Sequence, residues 1–170
     1  LSPPSCLRRP TDRAAAEVFT LQWHLTQSCD LACKHCYDRS HRADFPFDRA
    51  VSLLQELRDF CQQRFVRPQV TLTGGNPLLH PRFFELYQAA ADHGLMIAIL
   101  GNASDRATLE RMMAIQPPVY YQVSLEGLEQ HNDQIRGSGN YRRTVAFLKL
   151  LTELGIPNLV MLTLTKANLN

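Results

Sequence analysis

The segment PQVTLTGGNP, residues 68–77, decides the fold. In an extended chain successive side chains alternate between two faces, so Val70 and Leu72 point one way and Thr71 and Thr73 the other. Two glycines and a proline then end the strand. A strand covered by helices on both sides would read apolar on both faces. This one has an aliphatic face and a hydroxyl face.

The same split recurs outward in both directions. In TLQWHLT (20–26), Leu21, Trp23 and Leu25 oppose Gln22, His24 and Thr26. In LMIAILGN (95–102), Ile97 and Ile99 oppose Ala98 and Asn102. In VYYQVSLEG (119–127), Val123 and Leu125 oppose Gln122, Ser124 and Glu126; in PNLVMLTLT (157–165), Leu162 and Leu164 oppose Thr163 and Thr165. Helical patterns lie between. Residues 47–65 place Val51, Leu54, Leu57 and Cys61 on one face. Residues 80–94 read as a helix begun by Pro81 and stopped by Gly94, and 104–115 as one capped by Ser104. Residues 140–155 end at Gly155.

Alternating strands and helices with short connections predict an α/β fold with parallel strands and right-handed crossovers. One polar face repeated on five strands predicts a partial (β/α) TIM-like barrel, with helices outside and a polar lumen. Chemistry in such barrels sits at the carboxyl ends of the strands. The unusual residues fall there: a cysteine loop after the first strand, GGNP after the second, GNAS after the third and SLEG in the fourth.

The 170 residues suffice for one domain with a core, and 45% hydrophobic with 20% charged residues is ordinary globular composition. A net charge of +2 gives no argument for nucleic acid, and no apolar run has the length of a bilayer span. The opening LSPPSCLRRP has no apolar signal stretch. Five cysteines, three of them clustered, fit a metal site in a reducing, cytoplasmic compartment better than a disulfide framework. Residues 1–17 read as a loosely held leader and 18–170 as the core. The absence of an initial Met and the ending LTLTKANLN suggest a core interrupted after its fifth strand.

The cysteine loop is SCDLACKHCYDR, residues 28–39. Cys29, Cys33 and Cys36 are spaced to converge on one metal centre. A [4Fe–4S] cube takes one ligand per iron, so three thiolates leave one iron open for a ligand offering an amine and a carboxylate. Cysteine spacing alone leaves two other readings: a zinc site completed by His35 or His41, and an electron-transfer cluster completed by Cys6 or Cys61. Cys61 otherwise reads as a core residue, and Cys6 as a free thiol.

Cys29-x₃-Cys33-x₂-Cys36, with Tyr37 following, resembles the signature of the radical S-adenosylmethionine (SAM) enzymes, from about residue 20 onward. The resemblance implies a [4Fe–4S] cluster on the three cysteines and SAM at the open iron. It implies reductive cleavage of SAM to a 5′-deoxyadenosyl radical that abstracts hydrogen from a substrate in the lumen.

Gly74-Gly75-Asn76-Pro77 is similar to the family's Gly-Gly-Glu-Pro motif, which holds the SAM amino group; Asn76 keeps an acceptor and loses the charge. Asn102 matches an Asn near the SAM site. VSLEGLEQHNDQIRG (123–137) resembles a segment of the peptide- and protein-modifying maturase branch, often of SPASM type with further clusters. By that resemblance Ser124 approaches the ribose of SAM and Arg136 pairs with its carboxylate, while Glu126 stands where an Asp is usual. His35 is expected to shape the loop, its backbone meeting the adenine. His24 faces the lumen as a candidate substrate contact, with Tyr120, Gln122, Thr163 and Thr165 as further lumen residues. Lys34, Arg39, His41 and Arg42 make the loop basic, suited to an acidic electron donor such as a flavodoxin. The expected substrate is a peptide or protein. The alternatives are an enzyme of small-molecule or cofactor biosynthesis, and an iron–sulfur electron carrier that does not cleave SAM.

Overall fold

The computed structural model describes residues 17–38, 40, 43–166 and 168. Cys6, Arg39, His41, Arg42 and nearly all of the leader lie outside them. Five strands form one parallel sheet: β1 (Val18–Thr26), β2 (Arg67–Gly74), β3 (Met96–Leu100), β4 (Tyr120–Ser124) and β5 (Asn158–Met161). Their order in the sheet is their order in the chain. The helices are α1 (Phe47–Arg64), α2 (Phe83–Asp92), α3 (Arg106–Ile115), α4 (Glu129–Arg136) and α5 (Asn140–Glu153), with a 3₁₀ turn at Pro77–Leu79.

Right-handed crossovers between sequential neighbours put α1, α2, α3 and α5 on the same face of the sheet, while α4 lies at the rim against the cysteine loop. The core shows that face. Trp23, Leu25, Val70, Leu72, Ile97, Ile99, Tyr121 and Val123, all of the aliphatic parity, pack with Leu54, Leu86, Met112 and Phe147 of the helices. Tyr121 meets Phe147 with ring centroids 5.0 Å apart. On the opposite parity stand Gln22, His24, Thr71, Thr73, Gln122 and Ser124. The chain is a partial (β/α) barrel, as its parity predicts.

Four local expectations change. The segment 80–94 does not start its helix at Pro81: the chain makes the 3₁₀ turn at Pro77–Leu79, and α2 begins at Phe83. The cap of α3 is Asp105, whose carboxylate accepts the Thr108 N–H at 2.7 Å; it stands three residues before that donor, as Ser104 does not. Helix α4 was not expected, because EQHNDQIR buries only Asn132 and carries no apolar stripe. Strand β5 stops at Met161 rather than 165. Leu125 N–H still bonds Met161 O at 3.0 Å, but the Thr163 N–H goes to the Glu126 carboxylate at 3.0 Å, and the ladder ends. Leu159, Val160, Met161, Leu162 and Leu164 remain exposed along this edge.

Asp105→Ala should cost about 1 kcal/mol of stability, against less than about 0.5 kcal/mol for Ser104→Ala. Urea denaturation of the two variants beside the parent chain measures the difference.

Candidate functional site

The cysteine loop leaves β1 where the pairing register with β2 shifts, between His24 and Thr26. It then lies directly against the GGNP turn. Gly75 N–H donates to Thr26 O at 2.8 Å and Asn76 N–H to Ser28 O at 2.7 Å. A Cβ on Gly75 would stand 2.3 Å from Ser28 O, and one on Gly74, at φ +124°, 2.1 Å from Thr26 O. Both glycines are therefore required where two backbones meet, independently of any ligand. They fix the root of the cysteine loop to the end of β2.

Within the loop, Cys36 N–H bonds Cys33 O at 3.1 Å, and Lys34 N–H bonds Ile135 O of α4 at 3.0 Å. Cys29 and Cys36 are exposed and Cys33 half-buried. Burial pushes the Cys33 thiol up; the Arg136 charge opposes this, and the neighbouring thiols add to it. Arg136 Nη1 lies 3.7 Å from Cys33 Sγ and Asn102 Nδ2 3.4 Å from Cys29 Sγ. Among the described residues no three Cys, His, Asp or Glu side chains stand together as a formed metal site. The donor set nevertheless suits an iron–sulfur cluster: three thiols on one short exposed loop, with N–H donors aimed at two of the sulfurs. Cys61 is fully buried and takes no part.

Two carboxylates hold the loop in place. Glu126, at the end of β4, has a fully buried side chain. Its Oε1 accepts Arg136 Nη2 at 2.6 Å, Arg136 Nε at 2.9 Å and His35 Nε2 at 3.0 Å, while Oε2 takes the Thr163 N–H. Its own N–H donates to Asn132 Oδ1 at 3.0 Å. Burial pushes the Glu126 carboxyl up, but the bonds from Arg136, Thr163 and His35 outweigh it and hold the group below the usual range. His35 thus shapes the loop through its side chain, and its buried Nδ1 has no hydrogen-bond partner.

Asp30, directly after Cys29, is the second. Its Oδ1 accepts Asn102 Nδ2 at 2.7 Å and Asn76 Nδ2 at 3.0 Å, and its Oδ2 faces Arg143 Nη2 at 3.2 Å. Burial raises its carboxyl; the two asparagines and Arg143 bring it below the ordinary value. Asn102 is fixed in turn, because its carbonyl accepts the Tyr121 hydroxyl at 2.7 Å. Sequence reasoning missed Asp30, Arg143, Asn132 and Tyr121. An acidic residue between two clustered cysteines was the visible signal for Asp30; the other three act through contacts that no local pattern announces.

The remaining predicted residues are placed as follows. Asn76 and Pro77 are buried, and Ser124 is half-buried at the end of β4. His24 is half-buried on the polar face, with the Tyr37 hydroxyl 3.3 Å from its Nε2. Asn76, Asn102, Glu126, Arg136 and His35 are all drawn toward the cysteine loop, and Arg136 reaches Cys33 while bonded to Glu126.

The family model described as the Radical SAM superfamily matches residues 23–168. Pre-heme d1 synthase of Dinoroseobacter shibae is 32% identical over 150 residues, covering 86% of this chain and 36% of that protein. Mycofactocin maturase MftC of Mycobacterium tuberculosis is 30% identical over 171 residues, covering 98% of this chain and 43% of that protein. The chain thus spans well under half the length of these relatives. The crystal structure of Streptococcus suis SuiB superposes with a TM-score of 0.71 at 22% identity, over 86% of this chain and 33% of that one. SuiB has also been solved bound to its precursor peptide SuiA, with a TM-score of 0.65 at 21% identity, over 83% of this chain and 32% of that one.

Gly75→Ala should destabilise by about 1–3 kcal/mol through overpacking and lower the iron bound after reconstitution, read by urea denaturation and iron assay. The buried Glu126 gives a pH signature. Its folded value lies below the unfolded one, near pH 4.3. Its contribution is therefore fully present above that range and is lost as pH falls through the lower folded value. Glu126→Gln should cost about 3 kcal/mol at pH 7, because Arg136 loses its counter-charge, and should flatten the acid limb of stability against pH.

Proposed function

The chain belongs to the radical SAM superfamily, and from that membership we propose that Cys29, Cys33 and Cys36 hold a [4Fe–4S] cluster whose fourth iron binds SAM. The observation that carries the reading is the three-thiol loop at the carboxyl end of β1, on the rim of a sheet with one polar face. When bound, cluster and SAM supply reductive cleavage of SAM to a 5′-deoxyadenosyl radical, which abstracts hydrogen from substrate.

The protein's residues do the holding. Gly74 and Gly75 set the GGNP turn against the loop, with Asn76 and Pro77 beneath it. Asn102 and Ser124 line the rim where SAM is expected to lie, and His35 fixes the loop to Glu126. Arg136 keeps two donors on Glu126 and turns the third nitrogen toward Cys33, where its charge favours the thiolate. That engagement supports a role in tuning the cluster at least as well as pairing with the SAM carboxylate. His24, with Tyr37 beside it, offers a polar contact for substrate on the lumen face.

The substrate we infer is a peptide or protein. The 30% identity to a protein named a maturase supports this, as does the likeness to the Ser-Leu-Asp-Gly segment of peptide-modifying enzymes. A second reading, modification of a small molecule in cofactor biosynthesis, is favoured by the similarity to pre-heme d1 synthase. An acidic electron donor such as a flavodoxin would meet the basic cysteine loop. We place the protein in the cytoplasm, where thiols stay reduced; among the described residues no helix is long and apolar enough to cross a membrane.

Anaerobic iron–sulfide reconstitution followed by EPR of the dithionite-reduced protein tests the reading. A [4Fe–4S]⁺ signal that changes shape on adding SAM is expected, with the signal lost in Cys29→Ser, Cys33→Ser and Cys36→Ser. A cluster indifferent to SAM would indicate an electron carrier, and zinc in place of iron would sink the reading. Hydrogen abstraction from added peptides, followed as 5′-deoxyadenosine release, separates the peptide reading from the small-molecule one.

A further inference from the structure

By the resemblance to the Gly-Gly-Glu-Pro motif, Asn76 stands where a glutamate would hold the amino group of SAM, yet its own side chain is spent elsewhere. Its oxygen turns inward: Oδ1 accepts the Leu78 N–H at 3.4 Å and stands 3.2 Å from where a Cβ on Gly101 would be. Its amide nitrogen donates to Asp30. With the residue 4% exposed, neither end is free to meet a ligand, and an amide carries no charge.

The missing charge stands next to it. Asp30 lies 46 residues away in sequence, yet its Oδ1 is 3.0 Å from Asn76 Nδ2. Two neutral amides hold Oδ1 from one side, and the asparagines that present them are themselves pinned, Asn76 by the 3₁₀ turn and Asn102 by Tyr121. The carboxylate side chain is 31% exposed, so it is held without being sealed. Oδ2 meets only Arg143 among the described contacts, a side chain that is itself half-exposed. Besides Arg143 and the two amides, the residue's own backbone N–H leans on the carboxylate, so a ligand amine would enter from the exposed side and share the group with the half-exposed Arg143.

We propose that Asp30 is the SAM-binding residue that supplies the negative charge for the ligand's α-amino group, and that Asn76 serves as its holder. This rests on the reading of the site given above. The identities at positions 30 and 76 are then coupled. A carboxylate at 76 would stand against the carboxylate at 30, with no donor between them and with like charges. An asparagine at both would leave the amino group facing amides alone.

The test is isosteric. Asp30→Asn removes the charge and keeps an oxygen acceptor for Asn76 and Asn102; Asp30→Asn with Asn76→Asp moves the charge across the same contact. Binding of SAM, and of a SAM analogue with hydrogen in place of the α-amino group, is measured by equilibrium dialysis on reconstituted protein, per cluster. In Asp30→Asn, SAM should bind at least about tenfold more weakly, about 1.4 kcal/mol, while the analogue changes less than about twofold. The double variant should recover part of the loss. Equal weakening of both ligands would assign Asp30 to holding the loop and overturn the proposal, as would no weakening of either. If Asp30→Asn assembles too little cluster to measure, the double variant decides: it must prefer SAM over the analogue as the parent does, or the proposal fails. Failure of the parent chain to bind SAM at all is a separate result, against the function itself.

Discussion

Handedness governs this chain. A right-handed crossover from each strand to its immediate neighbour allows the connecting helices only one face of the sheet. That face must be apolar, and the strands supply it from alternate residues. Among the described residues the other face is covered by no helix and carries threonine, glutamine, histidine and serine, with Thr26, Thr71 and Thr73 buried and His24, Gln122 and Ser124 half-buried. The site follows from the same constraint. Every strand runs the same way, so the loops that leave the carboxyl ends gather on one rim, and residues far apart in sequence meet there.

What gathers on the rim is tied down by charge. Glu126 and Asp30 do for the cysteine loop what the aliphatic cluster does for the sheet. Glu126 joins β4, α4, the loop and the segment after β5 through one buried carboxylate. Asp30 joins the loop to the ends of β2 and β3 and to α5. Burial of an ionised carboxyl is unfavourable unless its lone pairs are satisfied by charged and N–H donors; the sealed Glu126 meets that condition in full, while Asp30 stays open to solvent on one side. The loop that presents the thiols is thus held from opposite sides while its own side chains remain largely open.

Much of this was legible beforehand, and the division has physical reasons. Strand parity is a period-two signal repeated five times, and it carries the fold without any long-range knowledge. The cysteine spacing is likewise local. Helix α4 left no trace because its one buried residue, Asn132, is polar and serves a backbone N–H of the SLEG turn. The sequence pattern runs past the end of β5 because VMLTLT continues the alternation, and only the Glu126 carboxylate, from the turn after β4, interrupts the pairing. At α3, Ser104 and Asp105 are both good capping types, and the choice turns on reach to Thr108. The two carboxylate hubs depend on partners up to 113 residues away, which no window along the chain can register.

The edge at β5 has a consequence for handling the protein. Leu159, Val160 and Met161 are all about half exposed, and their strand is hydrogen-bonded to β4 on one side. An unpaired row of N–H and C=O groups flanked by aliphatic side chains is a template for another strand. Among the described residues nothing pairs with this border, and where it is uncovered it favours strand-to-strand self-association, driven by backbone rather than by sulfur chemistry.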